Sequence, residues 1–177
     1  FIKYVLPEVI IFENVHGFTV NFKNKKGTKQ YSSYVERALK RLGYKTMHKI
    51  IDMSEYGIPQ NRKRFILVAM KSHSPKSVFE ALYNNRETFC SLKGIHCQTS
   101  VYEAISDLEK SHGTKPSPDS KGFQAGVYGP VQSGYQKLMR ENMDANKEIP
   151  DSHRLVNHRK ETIELHEILL AQAPIGK

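Results

Sequence analysis

The sequence predicts an α/β fold over its first 71 residues and an irregular, partly helical region over the rest of its 177. Three observations carry this. Val9-Ile10-Ile11-Phe12 is an uninterrupted apolar run, as expected of a strand covered on both faces in a parallel sheet. Val35, Ala38, Leu39 and Leu42 then recur at helical intervals, and Phe65-Ile66-Leu67-Val68-Ala69 is a second apolar run of strand length. Beyond about Lys71 neither period persists.

Taken in order, Phe1 opens almost inside a strand, without an initiator Met, and the chain reads as a piece of a longer one. The strand at Val9 to Phe12 runs into Glu13-Asn14-Val15. Ligands of open α/β sheets gather at carboxyl ends of strands, where Glu13 stands; taken alone, such a Glu is more often a solvated or capping residue. The polar run with Lys23, Lys25, Lys26 and Lys29 reads as a solvated loop, with phosphate contact as the alternative. Ser33 and Glu36 have capping-box spacing, which predicts a helix from about Ser33 to Leu42, stopped by Gly43.

Lys45 to Ile51 carries a strand signal, Asp52 to Arg64 a loop, and Phe65 to Met70 a strand. Within the loop, Gly57 and Pro59 fix a turn, and Gln60, Arg62 and Arg64 follow at alternate positions. In extended backbone these side chains share a face and present two planar cationic forks suited to a phosphate or a heterocycle edge, although an isolated arginine pair is more often a basic turn before an edge strand. Ser72-His73-Ser74-Pro75 reads as a linker and Ser77 to Asn84 as a short helix or turn. Ser100 and Glu103 form a second capping box before a helix through Ile105 and Leu108. Lys110 to Gln132 reads as loop, Gly134 to Met143 as helical, and Glu161 to Ala171 as a helix ended by Pro174 and Gly176.

A hydrophobic share of 38% and a charged share of 25% describe an ordinary globular chain, with no transmembrane run and no signal peptide. The formal charge of +9 points to an anionic partner. Two cysteines, Cys90 and Cys97, lack zinc-site spacing and are too few for a disulfide scaffold. They read as buried or incidental thiols in a reducing compartment. His153, His158 and His166 match no standard ligand spacing, so no metal site is expected.

Two stretches together resemble the cytosine-5 DNA methyltransferases. Pro7-Glu8-Val9-Ile10-Ile11-Phe12-Glu13-Asn14-Val15-His16-Gly17 is similar to that family's Glu-Asn-Val motif. Tyr56-Gly57-Ile58-Pro59-Gln60-Asn61-Arg62-Lys63-Arg64 is similar to its Gln-x-Arg-x-Arg motif, and Leu39 to Tyr44 fits between them. The likeness is strong from Val5 to Met70 and looser from Ser100 to Gly176, through Ala104 to Leu108 and Leu155 to His158. It implies the later half of a Rossmann-like methyltransferase sheet over residues 1–71, with its last strand antiparallel to its neighbours. A linker and partial target-recognition region would occupy 72–177.

The chemistry implied by the resemblance is methyl transfer from S-adenosylmethionine to C5 of a cytosine flipped out of double-stranded DNA, in settings such as restriction-modification. C5 is a poor nucleophile, so in the family a cysteine thiolate adds to C6 and pushes electron density onto C5. Glu13 then takes the role of the carboxyl at N3, which relieves the charge developing on the base. Arg64 is the candidate contact to cytosine O2 and the adjacent phosphate, and Arg62 orients the carboxylate or the catalytic loop. Asn14 holds the neighbouring loop, Val15 packs, and Gln60 supports the motif loop.

Departures from the pattern matter equally. There is no Pro-Cys dipeptide, no Phe-x-Gly-x-Gly cofactor loop, and both cysteines follow the Arg motif, so no residue here is the nucleophile. The chain is therefore expected to lack most of the cofactor pocket and to be inactive alone. Alternatives are one subunit of a split enzyme, completed by a separate N-terminal partner, and a non-catalytic nucleic-acid-binding relative. Relatives acting on transfer RNA share Glu-Asn-Val, but Pro59-Gln60 favours DNA. The resemblance leaves the host open: cytoplasm or nucleoid if bacterial, nucleus if eukaryotic, and a phage origin suits equally.

Overall fold

The computed structural model describes residues 1–24, 27–144 and 146–172. The chain divides into two compact units, Phe1–Ala104 with Ser133–Met139, and Ile105–Gln132 with Arg140–Lys177.

The first unit opens with α1 (Ile2–Val5), one helical turn where a strand was expected, and continues into β1 (Val9–Val15). A short antiparallel hairpin of β2 (Phe22–Asn24) and β3 (Gly27–Lys29) occupies part of the lysine-rich run read as loop; Lys25 and Lys26 lie outside the described residues. Then come α2 (Tyr31–Arg41), β4 (Lys45–Asp52) and β5 (Lys63–Met70). Gly43, at φ 85, turns the chain out of α2 in the left-handed conformation that glycine takes without steric cost. The Ser33–Glu36 capping box does not form. Gln30 holds the N-cap position and Ser33 lies inside the helix, its hydroxyl donating to Gln30 Oε1 at 2.5 Å. Glu36 instead pairs with His48 on β4 and with Lys40.

The three long strands form one sheet in the order β1-β5-β4, and β5 is antiparallel to both neighbours. β1 and β4 thus run the same way on either side of a reversed strand. One face, carrying Phe65, Leu67 and Ala69 from β5, packs on Leu39 and Tyr44, with Phe12, Phe18, Val35 and Leu42 around them. Phe65 and Leu67 are fully buried. Each such side chain contributes about 1.5–3 kcal/mol relative to leaving it in water. The opposite face packs Ile51 and Val68 on Phe79 of α3 (Lys76–Asn84).

That second layer does not reach β1. The expectation of a strand covered on both sides in a parallel sheet is corrected, while the antiparallel course of β5 against both neighbours is the one the resemblance implied. Among the described residues β1 pairs with β5 alone, antiparallel, and alternates exposed and half-buried residues. Val9, Ile11, Glu13 and Val15 share the open face, with Ile11 68% exposed.

After α3 come α4 (Arg86–Leu92), which the sequence reading missed, and α5 (Val101–Ile105). The expected capping box does form at α5: Glu103 Oε2 accepts the Ser100 N–H at 2.8 Å, and Ser100 Oγ accepts the Glu103 N–H at 3.1 Å. In the second unit, β6 (Thr114–Pro116) and β7 (Gln124–Gly126) pair antiparallel within the stretch read as loop. α6 (Gly134–Met139), in the first unit, is shorter than expected. α7 (Lys160–Gln172) matches its expected range, and its apolar residues, Ile163 through Leu170, are exposed. The stop expected from Pro174 and Gly176 lies outside the described residues. The second unit is pinned by Arg140, which pairs with the buried Asp107 carboxylate and stacks over the Tyr128 ring at 4.1 Å.

Candidate functional site

Register decides which of the candidate side chains can meet. In the β1–β5 ladder Val15 faces Arg64 and Glu13 faces Ile66, so Glu13 and Arg64 are diagonal neighbours on one face of the sheet. The Arg64 Nε lies 2.7 Å from Glu13 Oε1. Arg64 Nη1 also donates to its neighbour's carbonyl, Lys63 O, at 3.1 Å. Arg64 is the screened member, its side chain 15% exposed in the central strand, while Glu13, on the edge strand, is 55% exposed. A planar cation is thus fixed in the sheet, and the carboxylate beside it opens toward solvent.

The remaining candidates divide. Asn14 Oδ1 accepts the Val15 N–H at 2.8 Å, so it shapes the strand end locally. Val15, expected to pack, stands on the open face of β1 and is 54% exposed. Arg62 stands before β5; its guanidinium lies 3.4 Å from Gln60 Oε1, and the carboxylate's cationic partner is Arg64. The backbone N–H of Gln60 donates to Ile58 O at 2.7 Å, closing the turn of the motif loop.

That loop is braced from residues to which no motif points. At its start, Asp52 accepts from the Ser54 hydroxyl at 2.8 Å and the Ser54 N–H at 3.1 Å, and these bonds, hydroxyl first, hold the Asp52 carboxyl below its usual range. Glu55 pairs with Arg86 of α4 at 2.8 Å, and the Arg86 guanidinium stacks over Tyr83. Met53 N–H donates to Arg62 O, and Gly57 N–H donates to Cys97 O at 2.7 Å. Gly57 takes φ 80, and a Cβ there would stand 2.6 Å from Ile95 Cδ1 and 3.2 Å from His96 O. Arg86 and Ile95 to Cys97 carry no local signal, since their partners lie tens of residues earlier.

Gly57→Ala is accordingly expected to lower stability by about 1–2 kcal/mol through left-handed backbone strain alone. Urea unfolding of the variant measures it. Adding Ile95→Ala relieves the side-chain clash and leaves that strain.

Two clefts flank the sheet. One, about 480 Å³, is lined by Ile11, Ile51, Met53, Ile66, Phe79 and neighbouring apolar residues. The other, about 400 Å³, is lined by Lys49, Asp52, Glu55, Lys63 and Tyr83 among others. Neither fits S-adenosylmethionine. The first has no carboxylate for a sulfonium or for ribose hydroxyls. In the second both carboxylates are already engaged, by Ser54 and Arg86, beside two lysines that repel a cation.

The model of a family described as C-5 cytosine-specific DNA methylase matches residues 1–173. Among curated proteins, the chain is 32% identical over 110 residues to the Type II methyltransferase M.DdeI of Desulfomicrobium norvegicum, covering 61% of this chain and 24% of that protein. It is 39% identical over 66 residues to the Type II methyltransferase M.AplI of Arthrospira platensis, 37% of this chain and 17% of that one. With the Type II methyltransferase M.MspI of Moraxella sp it shares 41% over 61 residues, 34% of this chain and 13% of that one. The chain thus spans a quarter or less of the length of these relatives.

Proposed function

The chain belongs to the C-5 cytosine-specific DNA methylase family, and from that membership we propose that it carries the base-holding half of an active site that methylates C5 of cytosine in duplex DNA. The methyl group comes from S-adenosylmethionine, whose pocket lies mostly outside this chain. Residues 1–71 form the later half of a Rossmann-like catalytic domain, and 72–177 form the linker and the beginning of a target-recognition region. The observation that supports this most is the ion pair between Glu13 and Arg64, 2.7 Å apart on one sheet face.

A cytosine inside the duplex hides C5 and C6 in the stack, so it must be extruded before either can react. Once extruded, its N3 and O2 form a paired polar edge that matches a carboxyl beside a guanidinium. The Glu13 carboxyl takes N3 and the Arg64 fork takes O2. When a thiolate adds to C6, negative charge spreads onto this edge. Once protonated, the Glu13 carboxyl donates to N3, and together with the fixed positive charge of Arg64 it stabilises that charge. Arg62 and Gln60 keep the motif loop in shape. The net charge of +9 offsets part of the extrusion cost through phosphate contacts.

The nucleophile is not one of this chain's thiols. Cys90 is buried and its thiol is pushed up to about 11, first by burial and then by the hydrogen bond to Cys97. Incubated alone with duplex DNA and methyl-labelled S-adenosylmethionine, the chain is expected to transfer nothing above the blank. Transfer is expected once it is co-folded with a polypeptide bearing the Pro-Cys and Phe-x-Gly-x-Gly segments. Methylation by the chain alone contradicts the proposal.

A further inference from the structure

The chain's two cysteines lie seven positions apart and are brought together behind the motif loop. Cys90 stands in the last turn of α4, four residues after Arg86 and on the same helical face. At the helix end Gly94, at φ 67, reverses the chain, and Ile95 N–H returns to Cys90 O at 3.0 Å. The Cys97 thiol then donates to Arg86 O at 3.7 Å, the carbonyl at which the Cys90 N–H points within the helix. The neighbouring Cys97 thiol, second to burial, also pushes the Cys90 thiol up. Cys90 is 1% exposed and Cys97 is half-buried, so an oxidant arriving from solvent meets Cys97 first. Among the described residues no cluster of histidines, cysteines and carboxylates suited to a metal includes them.

We propose that Cys90 and Cys97 are an oxidisable dithiol that closes to an intramolecular disulfide under a peroxide, and that closure stiffens the brace holding the Gly57 turn. The steps balance. Cys97 attacks hydrogen peroxide, an S–O bond forms, the O–O bond breaks and water leaves. Cys90 sulfur then displaces hydroxide from the Cys97 sulfenic acid, and its proton completes a second water. Because the oxidant meets Cys97 first, buried Cys90 is the resolving partner. The brace follows from one bond: Cys97 O accepts the Gly57 N–H, so fixing Cys97 to α4 fixes the turn from which Gln60 and Arg62 depart.

The test treats the full chain with hydrogen peroxide and reads intact mass and tryptic peptides under non-reducing conditions. The expected product has lost two hydrogens, resists iodoacetamide, and yields peptide 87–93 crosslinked to 94–110. Amide exchange at Gly57 slows several-fold after oxidation and recovers on reduction. With Cys90→Ser the same treatment stops at a sulfenic or sulfinic acid on Cys97. An alkylatable Cys90 beside an over-oxidised Cys97 in the unsubstituted chain, or disulfide dimers in place of the internal link, overturns the dithiol. Unchanged Gly57 exchange across a quantitative disulfide overturns the brace. These outcomes are read without any methyl transfer, so they stand or fall apart from the catalytic proposal.

Discussion

Replacing Glu13 by Gln, with the active site completed by the rest of the enzyme, is expected to slow methyl transfer by roughly 10²–10⁴-fold. In barrier height that is about 3–5 kcal/mol. The substitution keeps the shape of the side chain and one hydrogen-bonding oxygen but cannot move a proton to or from N3. Its effect on the fold is small by comparison. The Glu13–Arg64 pair is half open to solvent, and exposed pairs contribute about 1 kcal/mol or less. Single-turnover transfer beside a thermal melt separates the two effects. A near-normal rate with an unchanged melt would remove Glu13 from the chemistry.

Phe65→Ala is expected to cost the first unit about 3–5 kcal/mol of stability, read as a lower urea midpoint at unchanged slope. Phe65 has no exposed surface and sits in the central strand. Its ring meets Phe12 edge-on at 6.3 Å, Phe18 at 5.4 Å and His48 at 5.0 Å. Truncation therefore leaves a cavity and also removes the pairings that join β1, β4 and the segment after β1. Against a typical total of about 5–15 kcal/mol this is a large loss. Ile11→Ala is the internal control: on the open face at 68% exposure, it is expected to change little. Equal effects at the two positions would mean that the sheet's buried face has been misassigned.

The apolar run of β5 was legible as a strand because burial selects it, and both β4 and β5 stand within a residue or two of their expected ranges. The Ser100–Glu103 cap was legible because both partners are local. The identical spacing at Ser33–Glu36 misled, since His48 on β4 competes for the carboxylate and no local pattern encodes that. The hairpins of β2–β3 and β6–β7 have strands of three residues and were hidden in polar sequence. α4 was missed because Arg86–Leu92 shows little amphipathic period and is tied to the loop through Glu55. The covering expected over both faces of β1 rested on a run of four apolar residues, and the run cannot say which neighbours are there to cover it.

At the site, the motifs placed Glu13 and Arg64 in one neighbourhood, and the antiparallel register with its diagonal pairing supplies the physical reason. The support around them was not legible. Arg86, Ile95 and Cys97 act on the Gly57 turn across gaps of 31 to 40 residues, where spacing carries no information.

The central claim is that Glu13 and Arg64 act together on one extruded cytosine, and a double-mutant cycle tests it most directly. Transfer rates are measured in the completed enzyme for Glu13→Gln, Arg64→Lys and the pair. The account predicts strong non-additivity, with the double variant within about tenfold of the slower single one, as for groups that work as a unit. Losses that simply multiply would mean that the two side chains act independently, and would contradict it.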